Sequence, residues 1–277
     1  PGTRWYGGWV MSTAMKEDVT SAPGADPEGS EMLEAGVHLG HVRSKRHPAM
    51  APYVWGMRSN VEVIDLTKTK EKLAAALAFL RQVAAEGKLI LFVGTRPSAK
   101  DLIRRTADAL GCPYVCQRWI GGTLTNFRII RKRVETLEGF EHEKASGGFE
   151  KYTKWEQLEL EKEMARLAEN FDGLRRLARL PDALVIVDIS HDRTALREAS
   201  RIKIPVAALT DTNTDPRLVA YPIPANDDAR PAVAYMLGRM EAAVREGQAA
   251  LASAAPEAPA GDAPASEAPN PPGARHD

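Results

Sequence analysis

Apolar residues along this chain form short continuous runs, and longer amphipathic stretches separate them. The runs typical of strands buried on both faces are Leu89–Val93, Ala183–Val187 and Pro205–Leu209. The intervening stretches carry apolar residues at helical spacing, as at Leu73, Leu77 and Leu80. Repeated alternation of this kind predicts an α/β fold, a mostly parallel sheet with helices on both faces.

Turn and cap residues predict further strands and helices. Tyr53–Ile64 reads as a hairpin with its turn near Ser59 and Asn60. Thr67 is suited to cap a helix that Gly87 ends. The remaining predictions are helices from Ser98 to Leu110, Arg193 to Arg201 and Pro231 to about Glu246, and a short strand at Tyr114–Cys116.

One long segment interrupts the alternation. Residues 126–178 contain no strand pattern, only two charged helical stretches on either side of Ser146-Gly147-Gly148. Because that is about twice the length of an ordinary crossover helix, the segment predicts an inserted, coiled-coil-like helical hairpin that protrudes from the sheet domain.

Both ends of the chain differ in composition from the middle. Residues 1–30 are rich in Gly, Ser and Pro, and residues 248–277 form an Ala/Pro tract with scattered acids. Such segments have too little apolar surface to fold, so both are expected to be disordered. The folded α/β domain is therefore expected at residues 31–247.

The charged residues are unevenly distributed along the chain. Lys and Arg total 37, as do Asp and Glu, so the net charge is zero. The segment from Arg96 to Arg133, however, holds nine basic and two acidic residues. A local excess of this size predicts a basic patch suited to phosphate, which a neutral total conceals.

The compartment follows from what the composition lacks. Two cysteines, Cys112 and Cys116, are too few for a disulfide framework. No apolar run approaches the roughly 18 residues of a membrane span, and the first thirty residues resemble no signal peptide. We expect a cytoplasmic protein without a membrane partner.

Two segments are candidates for nucleic-acid contact. The turn from Val93 to Lys100 joins a strand to a helix but matches neither nucleotide-binding fingerprint, so Arg96 and Lys100 are expected to meet RNA phosphate rather than a nucleotide. The segment from Gln117 to Arg128 combines two glycines for close backbone approach with Trp119 as a stacking face. Clustered basic, aromatic and glycine residues favour RNA binding.

An enzyme is the alternative. His38, His41 and His47 suggest a metal, but Arg43, Lys45 and Arg46 surround them and no Cys or carboxylate completes a set. Asp188, His191 and Asp211 follow predicted strands, where α/β enzymes place catalytic groups. Capping and turn chemistry explains the same residues, and no nucleophile–base arrangement is recognisable. A crevice at the strand ends filled by side chains would count against this alternative.

Several stretches in order resemble one family, that of the second protein of the small ribosomal subunit in its bacterial form. They are Met32–His41, Ile64–Thr69, Leu91–Thr95, Arg118–Asn126, Leu180–Asp188, Asp211–Pro216 and Ile223–Asp228. The stretch Arg-Trp-Ile-Gly-Gly-Thr-Leu-Thr-Asn is the most specific of them. Arg96-Pro97 and Ile120 depart from the family's commoner residues.

The resemblance implies a flavodoxin-like, Rossmann-like domain with a helical hairpin, placed against small-subunit ribosomal RNA and other small-subunit proteins. It also implies that the protein recruits the large ribosomal protein one, and it implies no catalysis, cofactor, metal or small-molecule substrate. The RNA-binding residues expected are Arg43, Lys45, Arg46, Arg96, Lys100, Arg104, Arg105, Arg118, Trp119, Gly121, Gly122, Asn126, Arg128, Arg131, Lys132 and Arg133. Reversing the charge at Arg131 and Lys132 is expected to weaken assembly, more so at higher salt.

Overall fold

A computed structural model of the protein describes residues 27–254. Its helices are α1 (Pro27–Glu34), α2 (Leu66–Ala85), α3 (Pro97–Leu110), α4 (Phe127–Ala145), α5 (Lys154–Phe171), α6 (Arg193–Arg201) and α7 (Arg230–Ala254). Its strands are β1 (Leu39–Val42), β2 (Val54–Arg58), β3 (Val61–Ile64), β4 (Ile90–Val93), β5 (Tyr114–Val115), β6 (Ala183–Ile186), β7 (Val206–Thr210) and β8 (Tyr221–Pro224). From β4 onward strands and helices alternate as the hydrophobic pattern predicts, except that two helices, α4 and α5, lie between β5 and β6 and only a 3-10 turn lies between β7 and β8.

The central sheet has five strands in the order β5-β4-β6-β7-β8, and every neighbouring pair is parallel. Counted from β4, this order is 2-1-3-4-5, the doubly wound arrangement of flavodoxin-like folds. The strand order reverses between β4 and β6, so the carboxyl ends of these two strands flank the crevice where such folds bind ligands. The fold class predicted from the sequence is confirmed.

Strands β4, β5, β6 and β7 divide their side chains between two cores, whereas the edge strand β8 contributes to one of them. Ile90 and Phe92 of β4 pack with α2, α3 and α7 on one face. Leu91 and Val93 pack with α4, α5 and α6 on the other. Because successive side chains point to opposite faces, a strand covered on both sides must be apolar throughout. This is why β4, β6 and β7 are visible in the sequence as unbroken apolar runs.

A second, three-stranded antiparallel sheet has the order β1-β3-β2. The predicted hairpin between β2 and β3 is confirmed, and its two turn residues, Ser59 and Asn60, have φ angles of 48° and 68°. Two consecutive left-handed residues match the twist of the paired strands. Neither β1 nor β8 was expected from the sequence, because both are short and lack strict alternation.

The cap of α2 needs a correction. Asp65, not Thr67, is the N-cap residue, and its carboxylate accepts a hydrogen bond of 3.0 Å from the backbone N–H of Thr67. Aspartate caps well because its side-chain oxygen satisfies an N–H that the helix leaves unpaired. At the other end Gly87 has a φ of 66°, so it ends the helix as predicted.

Helices α4 and α5 occupy the segment predicted as an inserted hairpin. They pack against each other, and a turn containing Gly147 at a φ of 75° joins them. Lys144 and Glu161 form an ion pair of 2.7 Å between the two helices. Leu137 and Leu167 are buried in the core beneath the sheet. That the pair protrudes as a hairpin stays a prediction.

The expected terminal boundaries shift at both ends. Helix α1 begins at Pro27, where residues up to 30 were predicted disordered, and it is tied to α7 by an ion pair of 2.7 Å between Glu28 and Arg239. Helix α7 continues to Ala254 rather than ending near Glu246. The rest of the two predicted disordered segments, residues 1–26 and 255–277, lies outside the described residues.

Candidate nucleic-acid interface

The glycine-rich loop between β5 and α4 is held in place by one carboxylate, that of Glu198 on α6, which accepts hydrogen bonds from the loop. Its Oε1 accepts hydrogen bonds from the Trp119 indole at 3.2 Å and the Gly122 N–H at 2.7 Å. Its Oε2 accepts from the N–H groups of Leu124 and Thr125 at 3.0 and 3.1 Å, and from the Thr125 hydroxyl at 3.1 Å. Five donors on one buried carboxylate fix the loop's shape.

The pKa of Glu198 reflects this arrangement. Burial raises the pKa, but the hydrogen bonds donated by Gly122, Thr125, Leu124 and Trp119 outweigh that effect, so it lies below the ordinary value of 4.5. Glu198 is therefore ionised at neutral pH, and the negative charge is balanced by N–H and O–H dipoles rather than by a cation. Glu198 is not among the site residues predicted from the sequence.

The prediction that Trp119 offers an exposed stacking face needs correction. We expected an exposed stacking face for RNA bases, but only 8% of the residue is exposed, and its ring packs in the core with Leu124 and Val134. The nitrogen of its ring is directed at Glu198. A tryptophan pairs burial with a hydrogen bond in this way when it anchors a loop.

The two glycines of the loop have different roles. Gly122 has a φ of 94°, a conformation that other residues adopt only with strain, so the turn itself requires it. A Cβ atom at Gly121, by contrast, would meet only open space. Close approach of another molecule's backbone is therefore possible at Gly121, as predicted, while the N–H of Gly122 is already used by Glu198.

Among the predicted cations, several already have partners. Arg46 pairs with buried Glu62 at 3.2 Å, and Lys100 donates to Gln117 at 2.7 Å. Arg131 lies 3.3 Å from Glu135 and also donates to the carbonyl of Arg175. The guanidinium of Arg104 is about 4 Å from two carboxylates, Asp108 at 3.9 Å and Asp172 at 4.0 Å.

The prediction that Arg96 contacts RNA phosphate needs correction. Its side chain is only 29% exposed, and its Nε lies 2.6 Å from an Asp188 oxygen. Its other contacts are Asp227, at 3.8 Å, and Asp228. Asp188 and Asp228 engage its Nε and Nη1, so Arg96 helps to hold the fold, and a phosphate would compete with these partners.

The other predicted cations are exposed and have no ion-pair partner among residues 27–254. They are Arg43, Lys45, Arg105, Arg118, Arg128, Lys132 and Arg133. Arg118 lies in the Glu198-anchored loop, and the last three lie in the first two turns of α4. Asn126 is exposed at the N-cap of that helix, with no capping hydrogen bond from its side chain.

Helix α4 presents its cations because its opposite face is anchored. Ile130, Val134 and Leu137 are buried against the sheet. Arg128 and Lys132 are four residues apart, so they lie side by side on an exposed face. The loop and the start of α4 together form a fixed cationic surface, defined by Arg118, Arg128, Lys132 and Arg133 and called here the α4 basic surface.

The residues of the enzyme alternative form a different cluster at the carboxyl ends of the strands. His41 Nδ1 lies 3.0 Å from Asp211, and its Nε2 lies 3.3 Å from Asp228. Burial, together with the Asp211 and Asp188 carboxylates, raises the pKa of Asp227 to about 9. Asp227 therefore holds a proton at neutral pH, which reduces the negative charge that Arg96 must balance.

The crevice between β4 and β6 is occupied by side chains. Arg96 bridges it to Asp188, and the Thr95 hydroxyl donates to Asp192 at 2.7 Å. His38 is buried, and burial lowers its pKa. Within residues 27–254, no group of three or more His, Cys, Asp or Glu side chains is arranged to hold a metal. By the criterion set from the sequence, the filled crevice counts against the enzyme alternative.

A known protein family matches most of the described residues. The sequence model of the family described as ribosomal protein S2 matches residues 32–247. The chain belongs to the ribosomal protein S2 family. That S2-family match begins within α1, ends within α7, and includes both the glycine-rich loop and the segment of α4 and α5.

Curated S2-family relatives cover most of the chain. The small ribosomal subunit protein uS2 of Thermus thermophilus is 46% identical over 209 residues, 76% of this chain and 82% of the relative. That of Coprothermobacter proteolyticus is 44% identical over 218 residues, 79% of this chain and 81% of the relative. The Porphyromonas gingivalis protein is 43% identical over 217 residues, 78% and 77% of the two chains. The names of these relatives support a structural ribosomal role.

Membrane contact has one structural test. Within residues 27–254, none of the helices combines the length and the apolar character that a bilayer span requires.

Proposed function

We propose that this protein is a structural component of the small ribosomal subunit that binds ribosomal RNA through the α4 basic surface. The observation that carries the proposal is the Glu198-anchored loop, which holds Arg118 beside three unpaired cations of α4. Because the backbone of the loop and of α4 is held in place, these guanidinium and ammonium groups can neutralise phosphates without a rearrangement of the chain. Membership of the S2 family supports the same role.

These contacts position the protein on RNA rather than read a sequence. Arg and Lys side chains on an exposed helix face meet phosphates, which are the same at every nucleotide. The cations around the 3-10 turn Arg43–Lys45 and the exposed Arg105 are proposed as additional phosphate contacts. Arg46, Lys100, Arg104 and Arg131 would contribute only if RNA displaced their present partners.

Further partners belong to the proposal. Other small-subunit proteins, and in particular the large ribosomal protein one, are proposed to contact this chain in the cytoplasm, with the family resemblance as support. Mass spectrometry of subunits from cells depleted of this chain tests that part. Normal amounts of the large ribosomal protein one in those subunits would contradict recruitment.

A catalytic role is not part of the proposal. The ligand crevice of this fold is occupied by the Arg96–Asp188 ion pair and the Thr95–Asp192 hydrogen bond. The folded domain is proposed to span residues 31–247, with additions at α1 and α7, and the matched range 32–247 supports these limits.

Charge reversal on α4 tests RNA binding directly. We expect Arg128→Glu with Lys132→Glu to reduce incorporation into small subunits. Log affinity for small-subunit RNA should also fall less steeply with log salt, by about 1.5 in slope, since each phosphate contact contributes roughly 0.7–0.9. The loss of affinity is therefore expected to be largest at low salt, and not at higher salt as the sequence-based expectation had it. This pair replaces Arg131 and Lys132 as the sharper test, because Arg131 already contacts Glu135 and the Arg175 carbonyl.

The matched control is Arg193→Glu with Arg197→Glu. These arginines are also exposed and four residues apart, but they lie on α6. The control is expected to keep the salt slope and the incorporation of the unaltered protein. An unchanged slope in the Arg128/Lys132 variant, or an equal loss in both variants, would contradict the proposal.

A further inference from the structure

A cavity of about 360 Å³ lies between the glycine-rich loop and the facing sides of α4 and α5. Arg118 and Ile120 contribute from the loop, Arg133 from α4, and Asn170 and Phe171 from the end of α5. Pockets for small molecules range from roughly 300 to 1,000 Å³, so this one has room for a single small group and not for a helix or a duplex.

The charge of this cavity is one-sided. Three guanidinium groups line it, those of Arg118, Arg133 and Arg166, and no Asp or Glu is among the lining residues. Arg166 is held by two hydrogen bonds of 2.9 and 2.8 Å to Glu163. Arg118 and Arg133 form no ion pair among residues 27–254. The Glu163 carboxylate, whose pKa is lowered by Arg166 and also by the charge of Arg133, offsets part of the Arg133 charge, so Arg118 is the less compensated of the two guanidiniums available to an anion.

The remaining walls are apolar. Ile120, which is partly exposed, lines the cavity together with the nearly buried Trp119, Leu167 and Phe171. The Asn170 amide adds a donor and an acceptor. Apolar walls with a few convergent polar groups suit a flat, partly polar ring. A phosphate alone would leave these walls uncovered, whereas a phosphate joined to a base matches both parts.

We propose that this cavity takes one unstacked nucleotide of the bound RNA, with its phosphate on Arg118 and Arg133 and its base against Ile120 and the small exposed parts of Trp119 and Phe171. The inference rests on the proposed RNA-binding function and deepens it. A base within a duplex cannot enter, because it is stacked and paired, so the cavity selects bulged or single-stranded positions. The rigidity of the loop, set by Glu198, keeps the cavity open before RNA arrives.

Selectivity for a bulge is the measurable consequence. We expect the full-length protein to bind an RNA hairpin with one bulged nucleotide about tenfold more tightly than the same hairpin fully paired, since one base contact with an aromatic or apolar wall adds roughly that factor. Fluorescence anisotropy with labelled hairpins measures both affinities. Uridine monophosphate, inorganic phosphate and an acidic hexapeptide serve as competitors.

Two variants remove the selectivity by different routes. Arg118→Gln with Arg133→Gln removes the anion partners, and Asn170→Trp fills the cavity. Both are expected to bring the ratio of the two affinities to within about twofold. The matched control, Arg193→Gln with Arg197→Gln, is expected to keep it. Arg118 and Arg133 are exposed, so their variant is expected to fold, and it decides the question alone if Asn170→Trp does not.

Several results would overturn the inference. They are equal binding of the two hairpins by the unaltered protein, selectivity that survives in the Arg118/Arg133 variant, and displacement of RNA by the monophosphate, phosphate or peptide at concentrations as low as those of the bulged hairpin. Displacement by the peptide would assign the cavity to a protein partner.

Sedimentation with small subunits, measured on the same protein, separates this inference from the proposed function. Unaltered protein that enters subunits but shows no bulge selectivity overturns the inference alone. Unaltered protein that fails to enter subunits overturns the proposed function.

Discussion

Replacing Glu198 by alanine is expected to lower the free energy of unfolding by about 3–5 kcal/mol, because it removes the acceptor of five hydrogen bonds and leaves buried donors unpaired. The donors affected are the Trp119 indole and groups of Gly122, Leu124 and Thr125. The loop that carries Arg118 would lose its fixed shape, so RNA affinity is expected to fall as well. Guanidinium unfolding and RNA binding measure the two effects.

The control for this prediction is Glu169→Ala, at an exposed position of α5, with an expected change in the free energy of unfolding within about 0.5 kcal/mol.

The dependence of stability on acid pH gives a second check on Glu198. Because the folded-state pKa of Glu198 is below its ordinary value, its stabilisation is present above about pH 4.5 and is lost as pH falls through the folded-state pKa. The unaltered protein should therefore lose more stability on acidification than Glu198→Ala. Equal stability of the two proteins at pH 7 would contradict the role given to Glu198.

Replacing Arg96 by methionine is expected to destabilise the protein by about 3–5 kcal/mol, the range measured when one partner of a buried ion pair is removed. Asp188 is left with a buried charge and no cation at its Oδ2. Arg105→Met is the matched control, since Arg105 is an exposed arginine of α3 without an ion-pair partner among the described residues. Thermal and guanidinium unfolding compare the two variants.

A double-mutant cycle identifies the cause of that loss. Asp188→Asn removes the charge but keeps an oxygen to accept the Ser190 and His191 N–H groups, bonds of 2.7 and 2.9 Å. The Arg96→Met/Asp188→Asn double variant is expected to be more stable than Arg96→Met alone, with a coupling of about 2 kcal/mol. Strictly additive losses would show that Arg96 acts through packing rather than charge. They would also reopen it as a phosphate contact.

The sheet was predictable because burial on both faces leaves an unbroken apolar run. β4, β6 and β7 are of this kind, and helices with one apolar face lie between them. Strands β1 and β8 were missed, since four-residue strands without alternation look like loops. The folded domain was predicted to begin at residue 31 rather than at Pro27, and the last helix to end near Glu246 rather than at Ala254, because composition describes a tendency, whereas contacts such as Glu28–Arg239 are tertiary.

The candidate interface was predictable in residue type but not in the role of each residue. In sequence, Trp119 and Arg96 look like exposed RNA contacts. Only their distant partners, Glu198 for Trp119 and Asp188 for Arg96, show that both hold the fold. Glu198 did leave a signal. It stands three residues after Ala195, on the buried face of α6, where an acid is costly unless several donors satisfy it.

The most direct test of the central claim is sucrose-gradient sedimentation of lysate containing a tagged copy of this chain at moderate salt. We expect the tagged, unaltered protein to travel with the small subunit and with translating ribosomes. The Arg128→Glu/Lys132→Glu variant is expected to shift toward the top of the gradient, whereas the Arg193/Arg197 control is not. Unaltered protein that remains at the top with free proteins would contradict a structural role in the small subunit.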